Sequence, residues 1–219
     1  MKVSFDIDLL KTAINLSTSQ LRQLDTYTSL LKQWNQRVNL ISRKDVDRIW
    51  ENHIIPSLIP FSFLIIPEGS WVMDMGSGGG LPSIPWKIVR PDLQMLLVDS
   101  IRKKTLFLKH VIDSLKLKNI SVVNERVENL SLHFEYQKKF DIITARAVAK
   151  VETLLHWGNP FLAENGWYLL WKGEQDIPEL TDVSQRLNIQ VEIYKTPSGL
   201  LSLSPRLDGL RWFKISTPR

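Results

Sequence analysis

The chain is predicted to form a doubly wound, mostly parallel α/β sheet with a helical segment in front of it. Three observations predict this. From residue 70 onward, short apolar runs suited to strands alternate with segments of helical period, the pattern of a parallel sheet covered by helices. The first run leads directly into "MDMGSGGGLP" (73–82), which holds four of the chain's ten glycines within five positions. Finally, the last two apolar runs, "IQVEIYK" (189–195) and "LRWFKIS" (210–216), are joined by a short Gly- and Pro-containing link. So short a link predicts antiparallel pairing, hence a closing hairpin.

Residues 1–66 read as helical. Ser17, Thr18 and Ser19 are good helix caps, and Leu21, Leu24, Tyr27, Leu31, Trp34 and Val38 then recur at steps of three and four. That spacing places one apolar stripe on a helix of about five turns. A second short helix is expected from Asp45 to Ile55, ended by Pro56. Beyond residue 70, Trp71-Val72-Met73 is a short strand and 84–89 a helix stopped before Pro91. "LQMLLVDS" (93–100) is the next strand, and Leu106, Leu108, Val111, Ile112 and Leu115 mark the helix behind it. Strands follow at 120–127, 140–148 and 166–173, with helices at 151–163 and from Asp176 to about Leu187. The expected division is a helical cap over 1–66 and a sheet domain over 67–219, together one compact unit.

Composition narrows the function classes. With 43% hydrophobic and 23% charged residues the chain is ordinary for a soluble globular protein. Its net charge of +5 favours an anionic partner such as nucleic acid. Cysteine is absent, which removes disulfides, thiolate metal sites and a cysteine nucleophile. Asp6 and Asp8 stand where a secretory signal would be apolar, and the uncharged stretch 54–67 is short and broken by Pro56 and Pro60. A cytoplasmic location and no membrane contact are expected. His110, His133 and His156 have no metal-ligand spacing, so no metal is expected either.

A glycine-rich turn between the first strand and first helix suits an anionic ligand at a helix N-terminus. A Walker loop would end in Gly-Lys-Ser/Thr, whereas this one runs Gly79-Gly80-Leu81-Pro82. A dinucleotide fingerprint begun at Gly76 would need glycine where Leu81 stands, which disfavours a nicotinamide oxidoreductase. Asp74 followed by Gly76, Gly78 and Gly80 resembles the first motif of class I S-adenosylmethionine-dependent methyltransferases. Amide donors and a nearby acid suit that cofactor's carboxylate and ammonium, and glycines let backbone approach it. Asp99 ends the next strand 19 residues after Gly80, the placement for an acid that accepts from ribose hydroxyls.

A more specific resemblance covers residues 30–173. "WNQRVNLIS" (34–42), "MDMGSGGGLPSIPWKIVRP" (73–91), "LLVDSIRKKTLFL" (96–108), "ERVENL" (125–130), "FDIITARAVA" (140–149) and "WKG" (171–173) stand in one order. Together they resemble the bacterial 16S ribosomal RNA guanine-N7 methyltransferases, the glucose-inhibited division protein B family. The resemblance implies a Rossmann-like, seven-stranded sheet, S-adenosyl-L-methionine as cofactor, and 16S rRNA or the small ribosomal subunit as partner; a monomer is expected. It implies cofactor contacts at Gly76, Gly78, Leu81 and Asp99, at Val127 and Glu128 beside the adenine, and at Arg146. Ser83, Ala145 and Pro56 depart from the family's usual glycine, serine and aspartate. No acid–base residue is assigned, because guanine N7 has a lone pair and no proton to lose; in-line positioning carries the chemistry.

Three uses are open to Arg146: the cofactor carboxylate, an RNA phosphate, or guanine O6. Lys172 is expected on the same rim, holding RNA phosphate. Arg102-Lys103-Lys104 reads as a solvated face that draws polyanions in. Asn39 and His53 fall in the capping helices and read as hydrogen-bonded structural residues. Trp34, Trp71, Trp167 and Trp171 are expected in the core.

Overall fold

The computed structural model describes residues 5–217; residues 1–4, part of the stretch where a secretory signal would stand, and 218–219 lie outside the described residues. Seven strands form one sheet in the order β3-β2-β1-β4-β5-β7-β6. They are β1 (Trp71–Met75), β2 (Gln94–Val98), β3 (Ile120–Val123), β4 (Phe140–Arg146), β5 (Leu162–Gly173), β6 (Gln190–Lys195) and β7 (Leu210–Ser216). The first five run parallel, while β7 is antiparallel to both β5 and β6. The expected antiparallel pair is therefore present, with β7 inserted between β5 and the edge strand.

Strand parity divides the core in two. Val72, Leu97, Ile142, Leu169 and Trp171 face one layer; Met73, Met75, Val98, Ile143, Ala145 and Leu170 face the other. The second layer is closed by α6 (Val127–Leu130), α7 (Val151–Gly158) and α8 (Ile177–Leu187). The first is closed by α1 (Ile7–Ile14), α2 (Thr18–Asn35), α4 (Ser83–Val89) and α5 (Arg102–Leu115), together with the broken helix containing α3 (Ile55–Leu58). Leu10, Leu24, Leu31 and Ile54 thus share a core with the sheet itself. The helix α2 starts where its caps predict: Ser17 accepts from the Gln20 amide, and Gln20 returns the bond to the Ser17 amide.

The region after α2 departs from expectation. Instead of one helix ended by Pro56, residues 43–62 run through 3₁₀ turns (Arg43–Arg48), a π-helical stretch (Trp50–Ile54), α3 and a second 3₁₀ turn (Ile59–Ser62). Pro56 falls in the first turn of α3, where its missing N–H has no intrahelical acceptor to serve. Pro60, four residues on, cannot donate to the Pro56 carbonyl; Trp171 Nε1 does so at 2.9 Å. Trp86 Nε1 donates to the Ser57 carbonyl at 2.7 Å in the same way. The irregular helix is satisfied from outside by indoles of the sheet and of α4.

Other boundaries shift for local reasons. Helix α7 ends at Gly158 and β5 begins at Leu162, earlier than the apolar run suggested. The strand β3 stops at Val123, and β4 stops at Arg146 because Ala147 turns into the left-handed region at φ 56°. Trp71, expected in the core, is 38% exposed at the start of β1, with Lys139 Nζ 4.1 Å over its ring. Among the described residues no helix is long and apolar enough to cross a membrane.

Two buried polar contacts lock the glycine loop between sheet and cap. Tyr27, fully buried on α2, donates its hydroxyl to the Gly79 carbonyl at 2.5 Å. Asp74, at the end of β1, lies beside Thr144 in the β1–β4 register and accepts its hydroxyl at 3.0 Å; Ser83 donates to the other oxygen. Burial raises the Asp74 carboxyl to about 7, against the opposing pull of the Ser83 and Thr144 hydroxyls. Tyr27→Phe deletes only a hydroxyl and should lower unfolding free energy by about 1–3 kcal/mol in urea titrations, the penalty for an unsatisfied buried carbonyl. The fold favours protonated Asp74, a contribution fully present below about pH 4 and lost as pH rises through about 7. The native protein's stability relative to Asp74→Asn should therefore fall between pH 4 and 7 and then level off. A difference that is flat across that window would contradict this assignment.

Candidate cofactor and active site

The carboxyl ends of β1, β2 and β4 converge on a cleft of about 270 Å³, lined among others by Gly76, Asp99, Ile101, Val127, Glu128 and Val148. Ligand crevices in open α/β sheets lie at this position, outside the carboxyl ends of strands where their order reverses. Here β1 separates β2 from β4. Helix α6 brings Val127, buried, and Glu128, exposed, to the cleft wall.

Glycine is required in the loop at two places. Gly76 has φ +70°, and a Cβ there would stand 2.7 Å from a Val148 methyl; Gly80 has φ +84°, and its Cβ would strike Ile84 and Leu108. The loop's amides are less bare than the sequence suggested. Gly76 and Ser77 donate to the Val98 carbonyl at 2.8 and 3.0 Å, Gly80 donates to Ser77, and Gly78 donates to Asp99 Oδ2 at 2.8 Å. The loop is thus folded onto the end of β2. What it offers a ligand at Gly76 is a surface without side chains rather than a ring of free donors. Leu81, joined to Pro82 by a cis peptide, is half-buried against the cap-side core.

Asp99 stands where the strand-end acid was expected. It is buried, with Oδ1 accepting from the Ile101 amide at 2.8 Å and Oδ2 from Gly78. Asn124 donates to its main-chain carbonyl at 3.0 Å, tying the ends of β2 and β3 together. Asp74, expected near the cofactor's ammonium, is instead committed beneath the loop to Ser83 and Thr144.

Arg146 and Lys172 do not share a rim. In β4, Thr144 and Arg146 point toward the cap, whereas in β5 it is Trp171 that does so and Lys172 faces away. Lys172 Nζ donates to the Ala149 carbonyl at 3.0 Å and holds the turn after β4. The Arg146 guanidinium is buried under the cap. Its Nη2 donates to the Asn52 carbonyl at 3.0 Å and faces His53 Nδ1 at 3.2 Å, while Nη1 is buried with no hydrogen-bond partner among the described residues. Burial, then the charge of Arg206, lowers its pKa to about 10, so it remains a cation. Burial and the Arg146 charge likewise lower His53 to about 4, so the imidazole is neutral near pH 7. The reading of His53 as a structural residue missed this contact, because nothing local in the sequence pairs positions 53 and 146. Asn39 is exposed. No cluster of three or more metal-ligating side chains occurs among the described residues.

The model of the family described as rRNA small subunit methyltransferase G matches residues 20–200. The ribosomal RNA small subunit methyltransferase G of Moorella thermoacetica is 36% identical over 178 residues, spanning 81% of this chain and 74% of that protein. Its namesake in Lactococcus lactis subsp. lactis is 33% identical over 193 residues, spanning 85% of this chain and 81% of its own. Among solved structures, the ribosomal protein L11 methylase of Lactobacillus delbrueckii subsp. bulgaricus superposes with a TM-score of 0.54 at 15% identity, over 76% of this chain and 77% of that one. That likeness speaks for the fold. With that model matching most of its length and relatives at this identity, the chain belongs to the rRNA small subunit methyltransferase G family.

Proposed function

We propose that this protein transfers a methyl group from S-adenosylmethionine to N7 of a guanine in the RNA of the small ribosomal subunit, acting in the cytoplasm as a single chain. The observation that carries the cofactor assignment is the buried, unpartnered Nη1 of Arg146 at the end of β4, the strand next to the one that leads into the glycine loop. A buried cation with a spare donor calls for an anion. The cofactor's amino-acid carboxylate is such an anion, and the burial of Nη1 favours it over an RNA phosphate or guanine O6. The side-chain-free face of Gly76 and the cleft bounded by Asp99, Val127 and Glu128 suit the nucleoside half.

The residues divide the work. Asp99 accepts from ribose hydroxyls, and Gly78, now its donor, gives it a fixed position. The Val127 amide and the Glu128 carboxylate read the edge of the adenine. Arg146 Nη1 neutralises the carboxylate of the amino-acid half. When bound, the cofactor would supply a sulfonium methyl for the in-plane lone pair of guanine N7 to attack, the new N–C bond replacing a C–S bond whose electrons stay on the departing thioether sulfur. N7 carries no proton, so no side chain has to act as a general base, and the protein contributes orientation and a water-poor setting. Absence of cysteine agrees with this, since pyrimidine C5 methylation commonly proceeds through a cysteine adduct.

Radiolabelled methyl transfer to free 16S rRNA and to 30S subunits, followed by digestion to nucleosides, tests the proposal. Label in 7-methylguanosine is expected. Label in any other nucleoside would overturn the regiochemistry, and no transfer to either substrate would overturn the assignment itself.

A further inference from the structure

Arg146 is not the end of its own network. The two groups that hold its Nη2, the Asn52 carbonyl and the His53 ring, are both tied to Asp45, a buried carboxylate in the 3₁₀ turn before the π-helical stretch. Asn52 Nδ2 donates to Asp45 Oδ1 at 2.8 Å. His53 Nε2 lies 3.1 Å from Asp45 Oδ2, an electrostatic contact rather than an aligned hydrogen bond. The exposed Arg206, from the segment between β6 and β7, donates to both Asp45 oxygens at 3.0 and 3.2 Å. The Asp45 carboxylate thus joins the segment 45–53 to Arg206 directly, and to Arg146 through Asn52 and His53.

We propose that Asp45 is a positioning residue for Arg146, setting the guanidinium's orientation through His53 and Asn52 so that Nη1 faces the ligand. Donor bookkeeping supports the direction of this relay. A guanidinium has only donors, so His53 Nδ1 must accept and the ring proton must sit on Nε2, facing Asp45. The imidazole is neutral near pH 7, which agrees with that tautomer. The arrangement also keeps Asp45 from quenching Arg146. Its charge is matched by Arg206, and an uncharged ring stands between it and the buried cation. A carboxylate bonded directly to Arg146 would compete with any anionic ligand; an imidazole and a carbonyl orient the guanidinium and leave its charge available.

The proposal rests on reading Arg146 as the group that holds the cofactor's carboxylate, and a double-mutant cycle separates the two. Binding of S-adenosylhomocysteine, which retains that carboxylate, is measured by calorimetry for the native chain, Arg146→Gln, Asp45→Asn and the double variant. Asp45→Asn is expected to weaken binding about tenfold, the scale of one hydrogen bond to a charged group. In the Arg146→Gln background it should add nothing, and in turnover it should raise KM for the cofactor while leaving KM for RNA unchanged. Unaltered binding by Arg146→Gln would overturn the underlying reading together with this one. Weak binding by Arg146→Gln, with Asp45→Asn either neutral or additive, would overturn the role of Asp45 alone. Should circular dichroism show Asp45→Asn unfolded, His53 provides the second test. His53→Gln, which can accept and donate across the same gap, should bind within about threefold of the native chain, and His53→Leu about tenfold more weakly. Equal binding by these two variants would overturn the proposal.

Discussion

The molecule is organised around a guanidinium that is buried without an acid touching it. Strand parity turns Arg146 toward the helical cap at the point where β4 ends. A cation taken out of water there must find partners. The cap supplies a main-chain carbonyl and a neutral ring on one nitrogen and leaves the other nitrogen unfilled. A direct carboxylate would stabilise the charge more strongly and abolish its use. The cap has to lie close over the sheet for this to work, and much of its irregularity follows from that requirement.

The prolines of the cap illustrate the connection. Pro60 frees the carbonyl of Pro56, and a tryptophan from the central sheet fills the vacancy; a second indole, from α4, serves Ser57. These bonds dock a broken helix at a fixed height above the strand ends, and the π-helical stretch carrying Asn52 and His53 immediately precedes it. From the other side, Tyr27 holds the glycine loop by its Gly79 carbonyl. Cap and loop are thus fixed against each other by groups satisfied only when both are in place. Asp74 adds a buried acid under the same loop, held by Ser83 and Thr144.

Much of this was legible in the sequence wherever the signal is local or periodic. The alternation of apolar runs specified the parallel sheet, and the short Gly- and Pro-containing link between the last two runs specified the antiparallel edge. The glycine loop and the strand-end acid behind it marked one cleft, which Gly76 and Asp99 line. Resemblance of the segments around residues 73–91 and 140–149 pointed to the family that the comparisons bear out. Other features lay beyond such reading. Loop amides read as bare donors because their acceptor, the Val98 carbonyl, belongs to another strand. Lys172 read as a partner of Arg146 because strand ends were compared without side-chain parity. Pro56 read as a terminator, although in a first turn its lack of an N–H is harmless. The network on Asp45 joins residues 45, 52, 53, 146 and 206, and no local pattern encodes contacts over such separations.

The central claim is that the ends of β1, β2 and β4 form one cradle, with Asp99 gripping sugar and Arg146 Nη1 gripping a carboxylate. A crystal structure of the protein with S-adenosylhomocysteine measures this most directly. The account predicts ribose hydroxyls within hydrogen-bond distance of the Asp99 carboxylate and the amino-acid carboxylate on Arg146 Nη1. Ligand density lying elsewhere, or a bound carboxylate that leaves Nη1 without a partner, would contradict it.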